Sequence, residues 1–479
     1  MLKALFGWLL GRRPAPPARP PARVAPAPAA PLPPTAPAPE TQTQDDPGFR
    51  KLNRDAPLRA QQPAEPPAGE AATFLCREAI LGRNQRIAGY QFMLQEGARA
   101  RIRHSTRRVH HLYAEVLVRS LASADIGELL GHRLAFIDLP DSFFADPSLA
   151  SLPARSVVLV PTLHADTGAP EPDALRHTVE QLRQRGFRIG LPDPTVMTEF
   201  AHLLPQADFI VVQARGLDAR RGLQLSNIAL EIAPNARLVV RELPSIEEFR
   251  FCYKLGATLF QGPFVTSRED WRERELPPNT ARIGTLIARL RADASTHELA
   301  DLLKQDAALS LRLLRYINSA ANALPQPVSS IEHALTLLGR EKLYRWLILL
   351  VCSAGSNGER GGAALEIALV RGRMMELLGA KRPVAEREAL FLVGLLSLVD
   401  VILQVPMEKA LAPLALGADI DAALRGNSGP LQPLLALAIA CERSDGEHLR
   451  DAAERCAITP DQASDCHMQA LSWAIQIQD

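Results

Sequence analysis

Residues 302–339 read LLKQDAALSLRLLRYINSAANALPQPVSSIEHALTLLG. Leu302, Leu303, Ala307, Leu311, Leu314 and Ile317 recur at steps of three and four, which predicts one apolar face along a single helix. Asn318-Ser319 ends that helix, since short polar side chains bond neighbouring backbone where a helix stops. Pro325 and Pro327 punctuate a turn, and Ser329-Ser330 caps the next helix. Glu332 then places negative charge near that helix's N-terminus, where the dipole favours it. The stretch therefore reads as a compact helical module.

Outward from this module the C-terminal part stays helical, from Leu276 to the end of the chain. GSNGERGG (355–362) breaks it and reads as a mobile loop inside one helical domain. The later apolar segments, around 390–403 and 434–442, need partners to bury their faces. On the N-terminal side the pattern changes to short β-rich runs alternating with helical segments. The runs are RLAFIDLP (133–140), VVLVPTL (157–163), FRIGLPDP (187–194), DFIVVQA (208–214), RLVVREL (237–243) and LFQGPFV (259–265). Such alternation implies parallel βαβ units, and this many units suggest a closed (β/α) barrel; an open doubly wound sheet is the alternative.

Residues 14 to about 70 hold 17 of the chain's 39 prolines, interleaved with alanine. Proline removes backbone donors and favours extended structure, so this arm packs no core and reads as a spacer. The expected organisation is a disordered arm (1–70), a barrel (71–272) and a helical domain (273–479). MLKALFGWLL (1–10) lacks the layout of a secretory signal; it reads as a short helix or frayed end, with interfacial membrane contact of residues 1–13 as the less favoured alternative. A net charge of +1 gives no field that argues for nucleic acid. Six cysteines without a Cys-x-x-Cys pair read as small core residues in a reducing, cytoplasmic compartment.

FLCREAILGRNQRIAGYQFML (74–94), a strand, a turn at Gly82-Arg83-Asn84 and a second strand through Gly89-Tyr90, resembles the opening of the EAL domain. That family's active members are barrels that hydrolyse cyclic di-GMP. The later strand order and Phe260-Gln261-Gly262 fit the same family. The 302–339 stretch resembles the HDOD domain, a relative of HD-type phosphohydrolases that lacks their metal ligands. The fold class implied is a degenerate EAL-type (β/α) barrel followed by an all-helical HDOD domain.

The EAL resemblance implies carboxylates at strand ends that hold divalent metal, and here the matching positions are largely changed. The motif glutamate falls on Gln91, the strand asparagine on Asp138, and the next glutamate near Val160. The paired aspartates fall on Pro192 and Asp193, a lysine and an aspartate on Val211 and Gln213, and a further glutamate on Arg241. Gln261 is retained. Arg241 invites pairing with Glu242 or Glu247, or contact with phosphate. The basic segment ARARIRHSTRRVHH (98–111) reads as a solvated helix face or a phosphate-attracting surface.

In the helical domain no His-Asp dipeptide occurs, and His297, His333, His448 and His467 are scattered. Ser397 and Asp400 stand where an HD pair would be expected. These readings predict no metal, no cofactor and no enzymatic activity. They point to a bacterial signal-transduction protein that acts through contacts with other signalling proteins, with Arg312, Arg315, Asn318 and Ser319 as the candidate contact residues. A cyclic-dinucleotide receptor and a residual cyclic di-GMP phosphodiesterase are the alternative functions.

Overall fold

The computed structural model describes residues 75–94, 107–162, 169–269, 271, 274–318, 326, 328–355, 360–443 and 446–478. The N-terminal arm expected at 1–70 and Ser319 lie outside the described residues. Eight strands close into a barrel in sequence order. They are β1 (Leu75–Gly82), β2 (Ile87–Leu94), β3 (Leu134–Pro140), β4 (Val157–Thr162), β5 (Arg188–Pro192), β6 (Phe209–Gln213), β7 (Arg237–Arg241) and β8 (Leu259–Gln261). The closed barrel, not the open sheet, is therefore the architecture. The last predicted run is shorter than expected: only Leu259–Gln261 is extended, and Pro263–Thr266 turns into a 3₁₀ segment.

Strand alternation explains the closure. Every second residue points inward, and Ile80, Phe136, Val158, Val160, Phe209, Val211 and Val239 fill the interior as one apolar cluster. Phe136 and Phe209 meet edge to face across the axis, 5.2 Å between centroids. The outward set, including Ile137, Leu159, Ile189, Leu191 and Val240, is buried in the main core beneath the helices. Those helices are α1 (Arg107–Ser123), α2 (Ile126–Leu130), α3 (Pro172–Gln184), α4 (Ala219–Glu231) and α5 (Ile246–Lys254). β1 runs antiparallel to both its neighbours, while all other pairings are parallel. The opening hairpin thus has no crossover helix between its strands to cover its outer face.

The helical domain supplies that cover. It comprises α6 (Pro278–Arg291), α7 (Thr296–Lys304), α8 (Ala307–Ile317), α9 (Ile331–Leu338), α10 (Arg340–Gly355), α11 (Gly361–Leu378), α12 (Val384–Leu396), α13 (Val399–Leu403), α14 (Met407–Leu411), α15 (Ala418–Arg425), α16 (Gln432–Arg443), α17 (Gly446–Arg455) and α18 (Pro460–Gln478). α16 packs on β1, and Glu366 of α11 reaches the hairpin. Tyr90 of β2 donates its hydroxyl hydrogen bond to Glu366, which also accepts from Arg133 at 3.0 Å. The Arg77 guanidinium stacks 4.6 Å over the Tyr90 ring. Burial, reinforced by the Glu366 charge, pushes the Tyr90 hydroxyl well above its usual pKa. Arg360, at the end of the Gly-rich break, is 1% exposed and binds the carbonyl of Phe264, the hydroxyl of Ser267 (3.1 Å) and Glu269.

The 302–317 region departs from the single helix expected. Asp306 begins a new helix, its carboxylate accepting from the Leu309 amide at 3.0 Å. The break shifts the helical phase, so Leu303, Leu309, Leu313, Tyr316 and Ile317 are buried while Ala307 and Leu311 face out. Ser330 caps α9 through the His333 amide at 3.1 Å. Among the described residues, no helix is long and apolar enough to cross a membrane.

Candidate functional site at the barrel mouth

The parallel strands bring their C-terminal ends to one mouth, the end of such barrels where side chains from different strands converge. Inward-facing Gln91, Asp138, Val160, Pro192, Val211, Gln213, Arg241 and Gln261 all come from these strands, and Asp193 follows β5 directly. Val160 pairs with Asp138 across β3 and β4.

At the centre, Arg241 is 3% exposed and places Nη1 2.9 Å from both oxygens of Asp138. Gln91 Nε2 donates to the same carboxylate at 3.0 Å. Arg241 therefore pairs with Asp138, not with Glu242 or Glu247 beside it. Its Nε and Nη2 are buried without a hydrogen-bond partner. Gln261 donates to Glu78 of β1. Gly262 follows with φ of 147°, and a Cβ there would lie 2.4 Å from the Leu243 backbone, so only glycine fits this close approach.

Asp193 lies apart from that pair. Its Oδ1 accepts from the Thr195 amide (2.8 Å) and hydroxyl (2.6 Å), and Oδ2 is bound by Arg221 of α4. Val160 and Val211 belong to the apolar interior. Two divalent ions need several anionic oxygens free to coordinate. Here Asp138 and Asp193 are each held by an arginine, and apolar side chains take two other positions. The residues present do not fit a metal pair.

Where it is described, at 107–111, the basic segment is only partly a solvated face: Arg108 is exposed, but its neighbours turn inward. Arg107 is buried against Asp141, and His111 bonds the Ser142 hydroxyl at 2.7 Å, pinning α1 to the residues after β3.

In the helical domain Asn318 is a clamp: Nδ2 donates to the Val328 carbonyl and Oδ1 accepts from the Val328 amide, both at 2.7 Å. Its amide thus makes one donated and one accepted bond within the fold, while the residue stays exposed. Arg312 and Arg315 are exposed, beside Leu311 at 49% exposure. Ser397 accepts from Arg371 at 3.0 Å, and Arg371 also grips Glu442, while Asp400 pairs with Arg268.

One grouping was missed in the sequence. His297, Asp301 and Glu332 bring three potential ligand atoms within 4.8 Å. The i, i+4 spacing of His297 and Asp301 was its only local signal, and the approach of α9 supplies Glu332. Lys304 already sits among these acids, its ammonium 3.2 Å from Asp301 and 3.0 Å from Glu332. That contact, more than the His297 bond, holds the exposed Glu332 carboxyl below its usual range.

The chain joins an EAL-like barrel to a helical region whose residues 275–416 match the HDOD domain family. It is 25% identical over 375 residues to "Cyclic di-GMP phosphodiesterase CdgJ" of Vibrio cholerae, covering 78% of this chain and 85% of that protein. It is 20% identical to the uncharacterized protein YuxH of Bacillus subtilis, covering 85% and 99%. Among solved structures, a standalone EAL protein of Vibrio cholerae bound to cyclic di-GMP is 16% identical, covering 41% of this chain and 91% of that one, with a TM-score of 0.33. The Bacillus subtilis protein YkuI, with an EAL domain, is 13% identical over 49% of this chain and 72% of its own, with a TM-score of 0.34.

These comparisons correct one expectation. The prediction that the chain is not an enzyme rested on the lost acidic groups. It is overturned by a relative, aligned over most of both chains, that is named a phosphodiesterase.

Proposed function

We propose that this protein works in cyclic di-GMP signalling and takes the cyclic dinucleotide at the C-terminal mouth of its barrel. The observation that carries the reading is the alignment with the Vibrio cholerae phosphodiesterase, which spans barrel and helical domain together. The mouth supports it chemically. Arg241 at the end of β7 and Arg221 on α4 offer guanidinium groups beside the acids of the mouth, and guanidinium is suited to phosphodiester oxygens. Contact with another signalling protein through the exposed Arg312 and Arg315 belongs to the same proposal.

The test is calorimetric titration of the full chain with cyclic di-GMP, with chromatography of the nucleotide after incubation. Saturable binding at one site per chain is expected, weakened about tenfold or more by Arg241→Gln through loss of a charge-assisted contact. A flat titration up to millimolar nucleotide removes the reading. The chromatogram reports separately whether linear product forms.

A further inference from the structure

We propose that Arg241 is the resident cation of the barrel mouth, occupying by charge the role that a divalent ion would have, so that the dinucleotide is held there without metal. The inference rests on the cyclic dinucleotide reading above and adds how the phosphate charge is met.

Three observations carry it. First, both Asp138 oxygens lie 2.9 Å from Arg241 Nη1 and Gln91 donates to the same carboxylate, while the neighbouring Glu78 carboxylate accepts from Gln261. A metal ion would have to displace the guanidinium from both carboxylate oxygens. Second, that guanidinium is 3% exposed and lies 5.9 Å from the centre of the Phe136 ring. Stripping it of Asp138 leaves a buried unpaired charge, which is strongly unfavourable. Third, Arg241 Nε and Nη2 lack acceptors while Asp138 satisfies Nη1 alone. A buried cation with donors to spare has capacity for another anionic oxygen, as a phosphodiester supplies. Asp138 keeps 24% of its side chain exposed, so the pair is reached from the mouth.

The second acid cannot rescue a metal site. Asp193 is bound by Arg221 and by Thr195, partners it does not share with Asp138. Each acid therefore has its own internal cation.

Two measurements on the full chain test this. Titration with Mn²⁺ alone, followed by the electron paramagnetic resonance signal of free ion, is expected to show no ion held at the mouth. Stoichiometric Mn²⁺ binding that Asp138→Asn abolishes overturns the proposal. Binding that persists in Asp138→Asn and is lost in His297→Ala belongs to the surface cluster and supports it. Calorimetry with cyclic di-GMP in EDTA and in excess Mn²⁺ is expected to give the same affinity within about twofold, because the cation is built in. An affinity that collapses on chelation overturns it. If the dinucleotide binds in neither buffer the functional reading fails, while the Mn²⁺ titration still decides the cation.

Discussion

Arg241 and Asp138 are 103 positions apart, and nothing near either residue announces the other. Reading the chain locally pointed to Glu242 and Glu247 because they are close in sequence. Barrel closure decides otherwise, since the adjacent Arg241 carbonyl and side chain are fixed by β7 while Asp138 projects from β3 into the same space. Residue types at strand ends were legible from the alternation of the strands; their pairing was not. His467 shows the same limit. It read as a scattered histidine, yet it is buried on α18 with Nδ1 3.4 Å from Met374 Sδ. Burial first, then the Arg77 charge, holds its pKa well below 6.5. Because the folded value is depressed, the unfolded chain takes up a proton that the native protein refuses. Stability is therefore flat in this component above pH 6.5 or so, and falls as pH drops below it, with a slope approaching about 1.4 kcal/mol per pH unit. Thermal melts between pH 7.5 and 5 are expected to show a steeper acid loss in the wild type than in His467→Leu. Parallel curves would count against the assignment.

At the scale of elements, the strands were readable because hydrophobic alternation and β-branched runs repeat between helical segments. The helix over 302–317 was misread because one polar residue resets the phase. Asp306 contributes a cap, and three- and four-residue spacing counted across it loses its meaning. The same region's Asn318 was correctly legible as a structural stop, because its side chain bonds local backbone. A contact that composition does not reveal is the crossing of α11 and α12. A Cβ on Gly394 would stand 2.4 Å from the Gly372 amide nitrogen, so the two backbones touch. Gly394→Val must push the helices apart, at a cost of about 3 kcal/mol from overpacking. Differential scanning calorimetry is expected to show a fall in Tm of roughly 5–10 °C. An unchanged Tm would mean that the pair is not closely packed in solution.

For the whole molecule, the family resemblances named both halves, yet how the halves join lay in tertiary structure. The Gly-rich break read as a loop, but Arg360 at its end is among the most buried side chains and is anchored on the barrel. Tyr90, Glu366 and Arg133 form a second junction. A chain ending at residue 275 would bare Tyr90 and the buried face of β1 to water. Such a chain is expected to bind the dye ANS and to aggregate, where the full chain stays monodisperse by light scattering. A truncated chain that melts cooperatively at the wild-type temperature would show that the barrel is self-sufficient.

The uncovered β1–β2 hairpin also sets a timetable for synthesis. It leaves the ribosome first among the barrel strands, while α16, which packs on β1, is among the last elements to leave. At about 5–20 residues per second, the nascent hairpin waits on the order of half a minute for its cover. Through that interval the earliest strands of the barrel stay open to holdases and to neighbouring ribosomes' products, and maturity arrives only with the final helices.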